Sequence, residues 1–230
     1  MPIALKNVTK TFGERVVLRN FNLQIKEGKL NCLLGASGCG KTTILNILAG
    51  LTDCEGEVLK PEKVAYIFQN SRLLNNLTVW ENVEYVILNE PKEVREKKIR
   101  DLLMMTELFD RRNDFPSVLS GGMARRVSIA RAYAYSADLL LMDEPFSALD
   151  LGLKLRQMEV YNKLSSAYGR TTVFVTHDID EALLFADTVT VLSEGGEVVT
   201  QFDISESRDN RSLFSPKSVA LKEKMFNILK

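Results

Sequence analysis

Residues 35–43 read GASGCGKTT, with the apolar run LNCLL before them and ILNILAG after. The spacing Gly35-x4-Gly40-Lys41-Thr42 is the pattern of a phosphate-binding loop set between a strand and a helix. Glycine lets the backbone approach a ligand closely and adopt angles that other residues resist. Successive N–H groups along Gly35, Ala36, Ser37, Gly38, Cys39, Gly40, Lys41, Thr42 and Thr43 can then surround phosphate oxygens at the positive end of the helix dipole. Lys41 would reach the β- and γ-phosphates, and the Thr42 hydroxyl would ligate Mg²⁺. A glycine-rich turn without a ligand is the alternative, and the strand and helix on either side argue against it.

The 230 residues suffice for one large domain or two small ones. Apolar residues make up 45% and charged ones 26%, which is ordinary globular usage. Thirty basic and thirty acidic side chains cancel. No strongly basic field therefore argues for nucleic acid, and none is expected as a partner. Cys32, Cys39 and Cys54 are an odd number without zinc-like pairing, so reduced thiols in a cytosolic chain are expected. The start, MPIALKNVTKTFG, does not read as a signal peptide. No stretch approaches the ~20 apolar residues that span a bilayer, so a membrane role would pass through partner proteins.

Along the chain, ALKNVTKTF and VVLRNFNLQI read as a β-hairpin turning at Gly13 and Glu14. LNCLL is the strand into the phosphate loop, and the helix Lys41–Ala49 stops at Gly50. Short strands follow around Pro61. From Thr78, with Glu81 three positions on, a capping-box helix begins. A charge-rich helix follows Pro91, with Glu93/Lys97 and Glu96/Arg100 spaced to pair on its wet face. A helix near Ser120, the strand LLLMD, a helix at about 152–168, the strand TTVFVT, a helix from Ile179 and two final strands complete the order. Strands alternating with helices imply a mainly parallel sheet with right-handed crossovers. Ser215 and Pro216 start a last helix, whose Val219, Leu221, Met225, Phe226 and Leu229 are expected to pack on the body.

Two carboxylates end the apolar strand LLLMDE. After a phosphate loop, Asp143 can hold the Mg²⁺ shell and Glu144 can orient or activate an attacking water. In LSGGMARRVSIARA, Ser120, Gly121 and Gly122 open a helix whose exposed N–H groups and hydroxyl can make a second anion site, and a capped helix with no ligand is the alternative. Two anion sites in one such chain are explained by a phosphate group held between two chains.

Taken together, these motifs resemble an ATP-binding cassette (ABC) ATPase subunit, over about Ala4 to Val199. The resemblance implies a P-loop NTPase core of α/β class with a mainly parallel sheet, an N-terminal antiparallel β subdomain and an inserted α-helical subdomain. It implies a single cassette domain over 1–230, with the nucleotide-binding core at 1–77 and 124–230. The helical subdomain would occupy 78–123 and end in the signature motif LSGG. Met123 stands where glutamine is commoner. Phe12 matches the aromatic that stacks on adenine. Gln69, in YIFQN, matches the glutamine that senses Mg²⁺ and water. Ser147-Ala148-Leu149-Asp150 resembles the D-loop, with Asp150 near a dimer seam. His177, the single histidine, stands where the family has its γ-phosphate switch histidine.

The implied activity is Mg-ATP hydrolysis in a head-to-tail homodimer that clamps two ATP molecules. Lys41, Gln69, Glu144 and His177 would be catalytic, and Thr42, Gln69 and Asp143 would arrange the metal. FQNSRLLNNLTVWENV and MDEPFSALD are similar to bacterial importer subunits, and EPFSALD with LSGGM to the nitrate/sulfonate/taurine group, which includes thiamine-precursor systems. Such a subunit would sit at the cytoplasmic face of the cell membrane. It would work under integral permease subunits fed by an extracytoplasmic solute-binding protein, with Leu73, Leu74, Leu77 and Trp80 as a candidate permease dock. A non-transport cassette that regulates a cell-division or envelope complex is the alternative. Those relatives commonly carry EPTGNLD in place of EPFSALD.

Overall fold

A computed structural model describes residues 2–147 and 149–230. Contacts cluster into two compact units. The first comprises the chain up to Val64, Asp138–Pro145 and Gly169–Lys230, and the second Ala65–Ala137 and Phe146–Tyr168.

The first unit holds two sheets. Strands β1 (Ile3–Phe12), β2 (Arg15–Ile25) and β4 (Glu55–Leu59) form an antiparallel sheet in the order β2-β1-β4. The other sheet runs β6 (Leu139–Asp143), β7 (Thr171–Thr176), β3 (Leu30–Leu34), β8 (Thr188–Leu192), β9 (Val198–Asp203), with β9 alone antiparallel to its neighbour. Every residue of β3, β7 and β8 is buried, including Asn31 and the threonines, so these strands lack an exposed polar face.

Helix α1 (Lys41–Ala49) packs against β6 and β7 and ends as read, with Gly50 at φ 74 donating its N–H to Asn46 O and Ile47 O. Helix α6 (Ile179–Phe185) packs on β3 and β7, and α7 (Pro216–Leu229) on α6 and β8. Asp187 anchors the approach to α7, accepting from Leu30 N at 2.9 Å and pairing with Arg208 Nε and Arg211 Nη2, each at 3.3 Å.

The second unit takes β5 (Val64–Ile67) from Ala65 on and carries α2 (Val79–Glu84), α3 (Lys92–Met105), α4 (Gly121–Ala134) and α5 (Leu151–Tyr168). Thr78 and Glu81 form the expected capping box at α2. The sequence puts the helical part at 78–123, and the compact unit takes in more chain. Helix α4 packs along its length on α2, α3 and α5, which draws α5 into the same body.

Two expectations change. On α3, among the described residues, Glu93/Lys97 and Glu96/Arg100 do not pair. Lys92 pairs with Glu96 at 3.8 Å, while Arg95 reaches Glu84 at 2.6 Å and Lys98 reaches Glu90 at 2.9 Å. The last two pairs are partly buried, where charges attract more strongly than on a wet helix face. On α7, Met225 is buried but Val219 and Phe226 are exposed, because the helix meets its neighbours through a narrow face.

Between β1 and β4 the register shifts from Lys6 to Thr9, with Asn7 at φ 50 and Gly56 at φ +100 facing each other across the irregularity. A Cβ on Gly56 would stand 2.5 Å from Asn7 O and 2.8 Å from Lys6 O, both backbone atoms that cannot turn aside. Gly56→Ala is therefore expected to lower the thermal midpoint by about 5 °C or more, measured by calorimetry. Gly169→Ala, at φ +60 but with nothing within 4 Å of the added carbon, should cost clearly less.

Candidate functional site

In the first unit the parallel strands β3, β6 and β7 end at one edge of the sheet. Leu34 pairs with Thr176 and Asp143 with Val175, so the three following loops leave at the same height. Gly35 N donates to Thr176 O at 3.4 Å, and Glu144 N to Val175 O at 3.2 Å. Open α/β sheets offer ligand crevices at the carboxyl ends of their strands, beside a central strand where the order reverses. Strand β3 is that strand here.

The loop after β3 turns into α1 through Gly40, whose φ of 100 suits glycine alone. A cavity of about 290 Å³ opens there, lined by Phe12, Arg15, Val17, Ser37, Gly38, Gly40, Lys41, Thr42, Thr43 and Glu144. Lys41 is 5% exposed, and its Nζ donates to Gly35 O at 2.8 Å and Ala36 O at 2.7 Å. Cys39 Sγ lies 3.9 Å from the same amine, and Cys39 is itself buried. Thr42 Oγ1 donates to Asp143 Oδ1 at 3.1 Å. His177 Nδ1 lies 3.2 Å from Glu144 Oε1. Glu144 has φ 43, a left-handed backbone that a non-glycine residue holds at a cost of about 1–3 kcal/mol. Such strain is maintained where the surroundings dictate it, and here it turns the carboxylate beside the histidine. Phe12 is 51% exposed, with the Lys10 ammonium 4.8 Å from its ring centroid.

The residues fit a nucleoside triphosphate. The Gly38 position has nothing within 4 Å of where a Cβ would lie, leaving a clear approach to the loop. The Thr42–Asp143 pair offers adjacent hard oxygens, the donor type Mg²⁺ prefers. Among the described residues no group of three or more His, Cys, Asp or Glu could hold a metal.

Gln69, Ser120, Gly121, Gly122 and Asp150 belong to the second unit. Gln69 is exposed and donates from Nε2 to Ser147 Oγ at 3.5 Å. Ser120 caps α4, its Oγ accepting from Met123 N at 3.3 Å, with Gly121 in its exposed first turn. Asp150 Oδ1 accepts from Leu153 N at 3.0 Å at the start of α5. Ala148 lies outside the described residues.

Arg15 and Val17 at the cavity are not singled out by the sequence motifs. Arg15 owes its place to the hairpin register, which pairs it with Phe12, and Val17 sits at the irregularity between the Thr11–Val16 and Lys10–Leu18 pairs. Counting on from the turn at Gly13 and Glu14 would have found Arg15 but not Val17.

Residues 18–147 match the protein family described as "ABC transporter". The chain is 41% identical over 210 residues to an aliphatic sulfonates import ATP-binding protein, SsuB, of Granulibacter bethesdensis, covering 91% of this chain and 87% of that protein. It is 38% identical over 213 residues to a sulfate/thiosulfate import ATP-binding protein, CysA 2, of Shewanella oneidensis, covering 85% of this chain but only 60% of the relative's length. A solved dimeric structure of MJ0796, titled a bacterial ABC transporter cassette, superposes with a TM-score of 0.76 at 37% identity over 89% of this chain and the whole of that one. The chain belongs to the ABC transporter family and carries its P-loop ATPase cassette fold.

Proposed function

We propose that this chain is the ATP-hydrolysing subunit of a bacterial ABC importer. The observation that carries the reading is the convergence of the phosphate loop, the Thr42–Asp143 pair and the Glu144–His177 pair at one sheet edge. ATP lies with its adenine on Phe12 and its phosphates among the amides of residues 35–43. Lys41 is already a buried cation held by two neutral carbonyls, and phosphate oxygens offer it a stronger, charge-assisted partner. Thr42, Asp143 and Gln69 would hold Mg²⁺, which would supply positive charge to offset that of the phosphates.

Glu144 orients a water and draws its proton as the oxygen attacks the γ-phosphorus. The bond to the β-phosphate oxygen breaks, releasing ADP and phosphate. His177 holds the Glu144 carboxylate in position and stabilises charge on the transferred group. Placement and electrostatics carry such a reaction, since its transition state asks little covalent chemistry of the protein.

The second anion site has its use in a head-to-tail homodimer. Ser120, Gly121 and Gly122 of one copy meet the ATP bound by the other, and Asp150 lies near the seam. Loss of the γ-phosphate removes the bridge and shifts the population towards the open state. Two permease chains and an extracytoplasmic binding protein complete the importer. The subunit works at the cytoplasmic face of the membrane, and no helix among its described residues is long and apolar enough to cross a bilayer. The import relatives point to sulfonate or sulfate-type oxyanions as cargo, recognised by the permease and binding protein.

Glu144→Gln should keep ATP binding, accumulate an ATP-dependent dimer in light scattering and lose about 10²–10⁴-fold in phosphate release. Undiminished turnover would refute the role of Glu144. Chelating Mg²⁺ should abolish turnover of the wild-type chain, and full activity in excess chelator would remove the metal from the scheme. Trp80 is half-buried in α2, and Leu77, just before the helix cap, is half-buried too. Trp80→Ala is expected to leave ATP hydrolysis by the isolated chain within about twofold while weakening co-purification with the permease. Equal recovery of the permease would rule out that dock.

A further inference from the structure

Residues 68–72, which follow β5 and contain Gln69, form no helix or strand. Their backbone carbonyls therefore need partners from elsewhere. Two arginines of α4 supply them. Arg125, a buried cation, donates from Nη1 to Phe68 O and, at 2.6 Å, to Gln69 O. Arg131, further along the same helix, donates from Nη2 to Ser71 O at 3.3 Å and Arg72 O at 3.0 Å. Four carbonyls in a five-residue turn are thus held from one helix, the one that Ser120 caps.

Side chains brace the same turn. The Arg72 guanidinium lies 3.8 Å over the Phe68 ring, which stacks on Tyr66 at 4.2 Å. Arg72 itself has φ 44. A non-glycine residue keeps that conformation only where its surroundings over-determine it. Behind Arg125 stands Tyr161, fully buried, whose phenol is pushed up to about 12 by burial while the Arg125 charge opposes the rise. Arg125 is therefore enclosed between the turn and α5, with its charge directed at carbonyl and phenol oxygens.

We infer that Arg125 is a positioning residue for Gln69, and that Arg125 and Arg131 make the 68–72 turn and the helix starting at Ser120 one mechanical piece. The exposed Gln69 amide is placed through its backbone, which the guanidinium grips on both sides of the residue. A force on the amides at Ser120–Gly122 then moves Gln69 with the helix. In the working dimer this lets contact with one nucleotide set the glutamine that serves the other. The inference rests on the proposed roles of Gln69 and Ser120. Both bonds leave from Nη1 of a planar guanidinium whose N–H directions are fixed, whereas a lysine ammonium keeps the charge but rotates on a flexible stem.

The test uses the full chain with Arg125→Met, Arg125→Lys, Gln69→Ala and the Gln69→Ala/Arg125→Met double variant. Arg125→Met should lower kcat by about 10–100-fold with the KM for ATP within about twofold. Arg125→Lys should recover part of that loss. The double variant should lose no more than Gln69→Ala alone, because residues that act through one another are not additive. Independently of turnover, amide hydrogen exchange at residues 69–72 should quicken about tenfold or more in Arg125→Met while 126–134 stays protected.

Multiplicative losses in the double variant, or unchanged exchange at 69–72, would overturn the inference. A wild-type chain that hydrolyses no Mg-ATP would instead sink the proposed function. The exchange measurement would still decide whether Arg125 holds the turn.

Discussion

Strand β3 lies between β7 and β8, parallel to both, paired along its whole length with β7 and from Asn31 onward with β8. The rest of the site depends on that ladder. Because β7 also pairs with β6 in parallel, three chain segments far apart in sequence finish at the same edge of one sheet. The loops that follow carry the phosphate-binding turn, the Asp143–Glu144 carboxylates and His177. A slip of one residue in any of these pairings would turn every side chain of the strand to the opposite face. The cost of such a slip is high, since all three central strands are buried throughout. The apolar ladder thus sets the spacing of polar groups that it does not contain.

Backbone carbonyls without ladder partners recur near functional loops, and cations answer them. Lys41 rests on Gly35 and Ala36, Arg125 on Phe68 and Gln69, and Arg131 on Ser71 and Arg72. Arg211 does the same for Leu184 and Ala186 just before Asp187. Each arrangement satisfies two acceptors and gives a partly or wholly buried cation neutral partners, to which Arg211 adds the Asp187 carboxylate. Lys41 differs from the arginines in where it stands. It borders an open cavity, so an arriving phosphate can compete for its protons, whereas Arg125 is closed in by protein. Similar chemistry therefore yields a ligand-responsive contact in one place and a fixed brace in the other.

Much of the fold was legible along the chain. The hairpin turn at Gly13–Glu14, the helix Lys41–Ala49 with its Gly50 cap, the Thr78 capping box and the start of α6 at Ile179 all lie where local signals put them. These are short-range effects, set by glycine conformation, side-chain caps and hydrophobic period. The ion pairs of α3 and the outer face of α7 were not legible. Whether Arg95 meets a neighbour on its own helix or Glu84 on another element depends on distances that helical spacing does not contain. Phe226 fits an apolar stripe at helical intervals, yet no element of the described structure covers it.

The sequence by itself determined which chemical groups are available and which local turns carry them. A loop with three glycines, a lysine and two threonines after an apolar strand has few uses other than holding phosphate. Tertiary structure decided which groups meet. Thr42 and Asp143 come within 3.1 Å, and Glu144 and His177 within 3.2 Å, because parallel strands align segments that lie from 33 to 101 residues apart. The role of Arg125 was hidden for the same reason. It reads as one more charge on a helix until the fold sets it beneath the carbonyls of Phe68 and Gln69. Local physics acts between near neighbours in the chain, and burial of the apolar strands selects the distant ones.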